Sequence, residues 1–484
     1  MKRLFTLILL SLFLSSLAAQ AILTLDSCRA LAISTNKDLM IGTEKIQAAH
    51  YQRKAAFTNY LPHLSGTGAY LHSGKDISLL SDQQKEALNG LGTHRQGSIQ
   101  DFAQSVVAQY PDLAPLMSSL GGTLPAALDG IGSSLVDALT THTRNIYVGA
   151  ITLTQPIYMG GKIRAYNKIS RYTEELAREQ HETEMQEVIL STDQAYWQVV
   201  SLVHKKKLAE GYLALLNKMD SDMEKLIGEG VATRADGLSV KVKVNEAEMT
   251  LTKVDNGLTL ARMLLCQICG LDLHTPLYLA DEAMDNLPVL PRTANADVET
   301  AFANRSELRS LELAGNIYRQ KVNVTRSEHL PTVALTGSYL TTSPSAFNGL
   351  ENKFRGTWGA GVMVQIPIWN WGEGTYKVRA ARAEANIARY QLEDAREKIE
   401  LQVSQSAHQV QEATQKLIMA EKNMEKANEN LRYATLGFEE GVIPASNVLE
   451  AHTAWLSAQS EKIDAQIDVK LTEIYLNKAM GTLR

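Results

Sequence analysis

The phrase LPHLSGTGAY (Leu61–Tyr70) returns as LPTVALTGSY (Leu330–Tyr339), and the repetition extends well beyond it. At the same offset of 269, CRALAISTNKDL (Cys28–Leu39) falls on DVETAFANRSEL (Asp297–Leu308). Downstream the offset is 211: YVGAITLTQPIY (Tyr147–Tyr158) falls on WGAGVMVQIPIW (Trp358–Trp369), and GEGVATRADGL (Gly228–Leu238) on EEGVIPASNVL (Glu439–Leu449). A duplicated unit of about 200 residues requires that both halves fold alike, and it is too long for an ordinary solenoid repeat. The change of offset, 58 positions, places an insertion in the first half, roughly residues 74–141. The halves span 22–270 and 291–484, joined by a linker at 271–290, with Pro276, Pro288 and Pro291 in and beside it.

Each half reads as helix, strand, loop, strand and very long helix. In the second half Val333, Leu335 and Tyr339 alternate with Thr332, Ala334, Thr336 and Ser338, and Trp358, Ala360, Val362, Val364 and Ile366 alternate with Gly359, Gly361, Met363 and Gln365. Period-two alternation of this kind predicts strands with one apolar face, which a half-exposed soluble sheet would show as well as a barrel in lipid. The aromatic residues separate the two readings. Tyr70, Tyr147, Tyr339 and Trp358 flank one end of the strand hairpins and Tyr158, Trp369 and Trp371 the other, a pattern expected of two membrane-interface girdles. Pro156 and Pro367 are expected to end the returning strands, since proline cannot donate to a ladder.

After these prolines come the long helices. Val403, Val410, Leu417, Met424, Leu431 and Phe438 keep strict seven-residue spacing, and Ala413, Ala420, Ala427 and Ala434 follow three positions later. Such heptads predict supercoiled helices in close backbone contact. In the first half Ala195, Leu202, Ala209, Leu216 and Met223 hold the same spacing, with Lys206 and Asp220 interrupting the companion row. Helices are expected over about 162–227, 234–268 and 445–479. Gly230 and Gly441 are expected to take left-handed turn conformations, and Pro444 to occupy the first turn of the returning helix.

The N-terminus reads as a leader: basic Lys2-Arg3, an apolar run Leu4–Leu17 and Ala19-Gln20-Ala21 before Ile22. Leu25-Asp26-Ser27-Cys28 is a poor lipoprotein box, because Asp26 fits badly and Cys28 lies beyond the apolar run. With 48 Lys and Arg against 53 Asp and Glu, nothing suggests a nucleic-acid surface. No later apolar run is long enough for a transmembrane helix.

Several residue patterns suggest chemistry at first sight. Cys266-Gln267-Ile268-Cys269 has C-x-x-C spacing but lies in a helical pattern without a βαβ unit, so apolar packing is expected. His181-Glu182 begins an HExx phrase that ends in Met185, so the second zinc ligand is missing. Neither an enzyme, nor a cofactor, nor a metal site is expected.

Four strands per chain cannot close a barrel, so strands that cross a membrane demand an assembly. At this point the chain resembles the TolC family of outer membrane efflux proteins. The resemblance rests on LTLDSCRALAISTNKDL, the two LPxxxxxxxY strands, the QPIYMGG and IPIWNWGEG junctions and the paired helix-turn phrases ending in ADGL and SNVL. It implies a mixed α and β fold: a homotrimer with a twelve-stranded outer-membrane barrel and an α-helical periplasmic tunnel. It implies docking on a periplasmic adaptor and an inner-membrane RND or ABC transporter, and passive export of drugs, toxic compounds or secreted proteins through a gated duct in outer-membrane lipid. The family's acidic constriction matches Asn447 and Glu450, of which Asn447 departs from the acidic pattern. The periplasmic tip that meets the adaptor matches Gly228, Gly230, Val231, Arg234, Asp236, Phe438, Gly441, Val442 and Pro444. Asp236 is expected to bond within the tip or to cap a helix, and Phe438 stands where the family often has a hydrogen-bonding Tyr. A trimeric coiled-coil adhesin or envelope spacer would share the leader and heptads, but would not need the duplicated strand hairpins.

Overall fold

The computed structural model describes residues 22–74, 76–141, 144–230, 232–283, 296–347 and 352–483. The expected leader at 1–21, Val231, and residues 284–295 with Pro288 and Pro291 lie outside the described residues.

The first half opens with β1 (Ile22–Leu23), α1 (Leu25–Thr35) and α2 (Lys37–Thr58), followed by β2 (His63–His72). The insertion carries β3 (Ile77–Ser78), α3 (Asp82–Asn89), α4 (Gln96–Gln109), α5 (Ala114–Ala138) and β4 (Thr140–Thr141). Then come β5 (Asn145–Met159), α6 (Lys162–Gly228), α7 (Arg234–Ile268) and β6 (Tyr278–Leu279). The second half has α8 (Val298–Asn304), α9 (Ser306–Ser327), β7 (Thr332–Ser343), β8 (Arg355–Gln365), α10 (Glu373–Glu439) and α11 (Ala445–Ala479).

The duplication is carried by matched lengths. Helices α6 and α10 each have 67 residues, α7 and α11 each 35, and α2 and α9 each 22. Each 67-residue helix rises by about 100 Å. The chain divides into two compact units, a helical one (through Ala55, Ala165–Asn323 and from Thr375 on) and one with the strands and the insertion (Ala56–Arg164 and Val324–Gly374).

In the helical unit the heptad rows are the core. Val403, Val410, Ala413, Leu417, Ala420, Met424, Ala427 and Ala434 are buried on α10, as are Ala195, Ala209, Leu216 and Met223 on α6. Alanine at these positions leaves little side chain between backbones, so the helices approach closely. Of the two interrupting polar residues, Lys206 lies at the edge and pairs with Asp255 of α7 at 2.5 Å, whereas Asp220 has one carboxylate oxygen buried without a hydrogen-bond partner among the described residues. Lys205–Asp464 at 2.6 Å ties α6 to α11, and Lys416–Asp468 at 2.8 Å ties α10 to α11.

A separate core gathers Cys28 of α1, Ile189, Tyr196, Val199 and Val200 of α6, Leu265, Cys266 and Cys269 around the end of α7, Leu279 of β6, and Ile467 and Ile474 of α11. Arg29 enters it with a two-pronged ion pair, Nε to Asp193 Oδ1 at 2.7 Å and Nη2 to Oδ2 at 2.6 Å. Burial raises the Asp193 carboxyl while the Arg29 fork opposes that shift. A pair held this way is costly to break, because the surviving charge is left buried. Cys28 is inaccessible inside α1, with its amide bonded to Thr24 O, so a lipid on its sulfur would have to leave this core.

The four long strands form one antiparallel sheet in the order β2-β5-β7-β8, while β1 pairs in parallel with β6 and β3 pairs antiparallel with β4. The insertion between β2 and β5 is ordered and helical, with Asp129 of α5 accepting from Gly92 N at 2.6 Å and Thr93 Oγ1 at 2.5 Å. Pro156 does not end its strand as expected. β5 runs on to Met159, and the ladder with β7 absorbs the missing donor by a register shift between Pro156 and Tyr158. In the second half β8 stops at Gln365, ahead of Pro367. Among the described residues no helix is long and apolar enough to cross a membrane.

Candidate functional site

The sheet carries the first functional surface. Register places Leu64 opposite Leu153, Tyr70 opposite Tyr147, Ile151 opposite Tyr339, Leu335 opposite Val362, and Tyr339 opposite Trp358. Opposed residues point to the same side of a sheet, so these side chains make one apolar face across all four strands. That face is open in the single chain, with Leu64 71% and Val362 63% accessible. The other face holds Ser65, Thr67, Thr152, Thr336, Ser338, Gly359 and Gly361. A contiguous apolar patch of this extent marks contact with lipid or another protein.

The aromatic residues form clusters on this scaffold. Tyr70 and Tyr147 lie 5.1 Å apart between ring centroids, and Phe354 extends the row at 5.8 Å from Tyr147. Phe354 was not apparent in the sequence, because it precedes its strand and breaks the internal repeat. The Tyr339 ring covers Gly356, where an added Cβ would meet its hydroxyl. Tyr158 and Trp369 are exposed, and Trp369 packs edge-on to Trp371 at 5.9 Å. Trp371 and Gly372 repeat the left-handed pair Gly160 and Gly161, with φ of 50° at Trp371 and 62° at Gly160. A side chain in that conformation costs roughly 1–2 kcal/mol, and at Gly160 it would also strike Ser327 O.

The second candidate region is the pair of turns that close the long helical hairpins. After Gly228 ends α6, Gly230 takes φ +74° and its amide bonds Ile227 O at 3.1 Å. The N-cap of α7 is Thr233, and Asp236 is its partner three positions on, rather than the cap itself. Thr233 Oγ1 accepts from Asp236 N at 3.2 Å, while Asp236 Oδ2 accepts from Thr233 N at 3.0 Å and from the Thr233 hydroxyl at 2.6 Å. The hydroxyl and amide of Thr233 hold the Asp236 carboxyl below the usual carboxylate range. Arg234 is the first residue of α7 and is exposed; Val231 lies outside the described residues.

In the second turn Gly441 takes φ +70°, and the amides of Val442 and Ile443 return to Gly437 O at 2.8 and 3.2 Å. Pro444 is the N-cap of α11, not a residue of its first turn, and no side chain caps this helix. Phe438 is half-buried and packs into two clusters, one with Leu216, Met223, Val240 and Leu449, the other with Ala434, Val448 and Ala451. It thereby links both hairpins by apolar contact alone. Asn447 and Glu450 stand exposed on α11, whereas Val448 and Leu449 between them are buried. His452, one turn further, is buried beside Tyr212, Lys207, Lys462, His204 and Trp455 around a cavity of about 480 Å³, and burial lowers its pKa.

The model of the family described as outer membrane efflux protein matches residues 118–271 and 298–482. The chain belongs to this family. Its two matched segments together cover most of both halves, including the tips and the long helices. Relatives include the alkaline protease secretion protein AprF of Pseudomonas aeruginosa, 24% identical over 70% of this chain and 72% of that protein. The outer membrane efflux protein BepC of Brucella suis is 23% identical over 78% of this chain and 85% of its own length. Among solved structures, CusC superposes with a TM-score of 0.72 over 94% of this chain and 92% of that one, at 16% identity. The outer-membrane channel OprN gives 0.72 over 95% and 90%, at 15% identity. The internally duplicated fold, helical with a small sheet, is thus that of the family, and this efflux protein is an outer-membrane exit duct.

Proposed function

We propose that three copies of this chain close a single twelve-stranded barrel in outer-membrane lipid, continued by their helical hairpins as a periplasmic conduit. The observation that carries this is the sheet: four strands, a continuous exposed apolar face, and β2 and β8 each paired on one side only. An unpaired strand edge is not tolerated in hydrocarbon, so β2 of one copy must meet β8 of the next. Two copies would give eight strands and a lumen filled by side chains; three leave room for a channel. Tyr70, Tyr147, Tyr339, Trp358 and Phe354 then form one interfacial girdle, and Tyr158 and Trp369 the other. Recovery of the protein as trimers in outer-membrane fractions is expected, and soluble monomeric or rod-like material would refute the barrel.

The duct works passively, with no catalytic residue, and an inner-membrane transporter of the RND or ABC class supplies energy through a periplasmic adaptor. Relatives named for protease secretion and for efflux support a conduit whose pump sets the cargo. The constriction is assigned to Glu450, with Asn447 as its neutral neighbour at i−3 on the same exposed helix face. Three copies of Glu450 form a carboxylate ring that favours cations. In planar bilayers Glu450→Ala is expected to raise single-channel conductance and lower cation preference; unchanged values would remove Glu450 from the constriction. The turns Gly228–Asp236 and Glu439–Asn447 are assigned to the adaptor. A photo-crosslinker in place of Arg234 or Val442 should capture it, and capture only from the strand unit would reverse the assignment.

A further inference from the structure

All three cysteines of the chain meet in one core, although Cys28 and Cys269 are separated by 240 intervening residues. Each is a free thiol with no accessible surface. Cys269 Sγ donates to the carbonyl oxygen of Cys28 at 3.6 Å, and both cysteines sit in the same buried cluster. The surrounding backbone holds this approach in place. Thr35, at the far end of α1, donates to Cys269 O at 2.7 Å, and Gly270 adopts φ +67° where a Cβ would strike that threonine. Helix α1 is therefore fastened along its length to the end of α7. Cys266 is turned elsewhere, its sulfur donating to Thr275 O at 3.7 Å. The three sulfurs do not converge on a common centre as metal ligands would.

We propose that Cys28 and Cys269 are joined by a disulfide in the mature protein, tying α1 to the C-terminus of α7, while Cys266 stays reduced. The cell envelope in which an outer-membrane protein matures is oxidising. The oxidant is the disulfide of an envelope thiol–disulfide oxidoreductase. The thiolate of one cysteine attacks it to form a mixed disulfide and releases one carrier thiol; the other cysteine then displaces the second. Two thiols of this chain are oxidised, the carrier disulfide is reduced to a dithiol, and the two protons pass with the electrons. Because both sulfurs are sealed from solvent in the folded chain, the exchange takes place before this core closes. A link across so long a loop removes much freedom from the unfolded chain.

The test counts thiols in protein isolated from outer membranes of acid-quenched cells. After denaturation without reductant, N-ethylmaleimide should add once by intact mass, and three times after reduction. Proteolysis should yield a reducible peptide pair containing Cys28 and Cys269. Cys266→Ser should then add no maleimide before reduction and keep the same pair. Three additions without reductant, or a cross-link that contains Cys266, would overturn the proposal. The wild-type count stands even where a variant fails to fold.

Discussion

The two helical turns, at 229–233 and 440–444, hold equivalent places in the duplicated halves and join helices of equal length, yet they are closed by different means. The first adds polar closure to packing: Thr233 and Asp236 cap each other, Lys241 bridges to Glu224 across the hairpin at 2.9 Å, and Ile227 and Ala232 pack on the cluster of Met223 and Val240. The second has no side-chain cap, carries Pro444 at the N-cap of its returning helix, and relies on Phe438 packed among residues of both hairpins. Duplication conserved the backbone geometry, including the left-handed glycine, and left each copy free to find its own stabilising chemistry. The carboxylate assigned to the constriction, Glu450, belongs to the half whose turn is held by packing.

This contrast can be tested by substitution. Phe438→Ala should have the largest effect, about 2 kcal/mol for a half-buried ring. It should accelerate hydrogen exchange in the second turn and raise channel conductance, and protection unchanged there would show that packing does not hold that tip. Thr233→Ala should cost about 1 kcal/mol through the lost cap, loosening only the first turn. Pro444→Ser, which supplies the second helix with a cap it lacks, should stabilise that turn by less than that. Equal responses of both turns to these two changes would erase the distinction.

Acid should give the smallest effect, and it should separate the turns by pH. His452 is buried and its folded pKa lies below the unfolded value of 6.5, so its neutral form favours folding. Stability from that burial is present above 6.5 and is lost as pH falls through the folded value. Asp236, depressed below 3.8 by Thr233, contributes above 3.8 and loses its contribution only at lower pH. Hydrogen exchange followed from pH 7 downward should therefore loosen the α11 side of the second turn first. His452→Gln should abolish that early step, and simultaneous loosening of both turns would refute the ordering.

Much of this was legible in the residues because it is local. The ends of α6, α7, α10 and α11 follow glycines, caps and heptads that act within one or two turns of helix, and Thr233-Arg-Ala-Asp236 carries a capping pattern that could have been read directly. Misreadings arose where a neighbour overrode the local rule. Pro156 continues its strand because the ladder with β7 shifts around it, and Phe354 joins the aromatic row only because β8 is paired with β7 and β5 brings Tyr147 alongside.

By itself, the sequence determined the duplication, the helix lengths, the insertion and the alternation of the strands, since these are periodic properties of neighbouring residues. Tertiary structure alone decided that four alternations merge into one apolar face, that Arg29 finds Asp193, that Phe438 spans both hairpins, and that Cys28 meets Cys269. Each of these depends on register or on contacts between residues far apart in the chain. Such pairings follow from how whole elements pack, which no local pattern encodes.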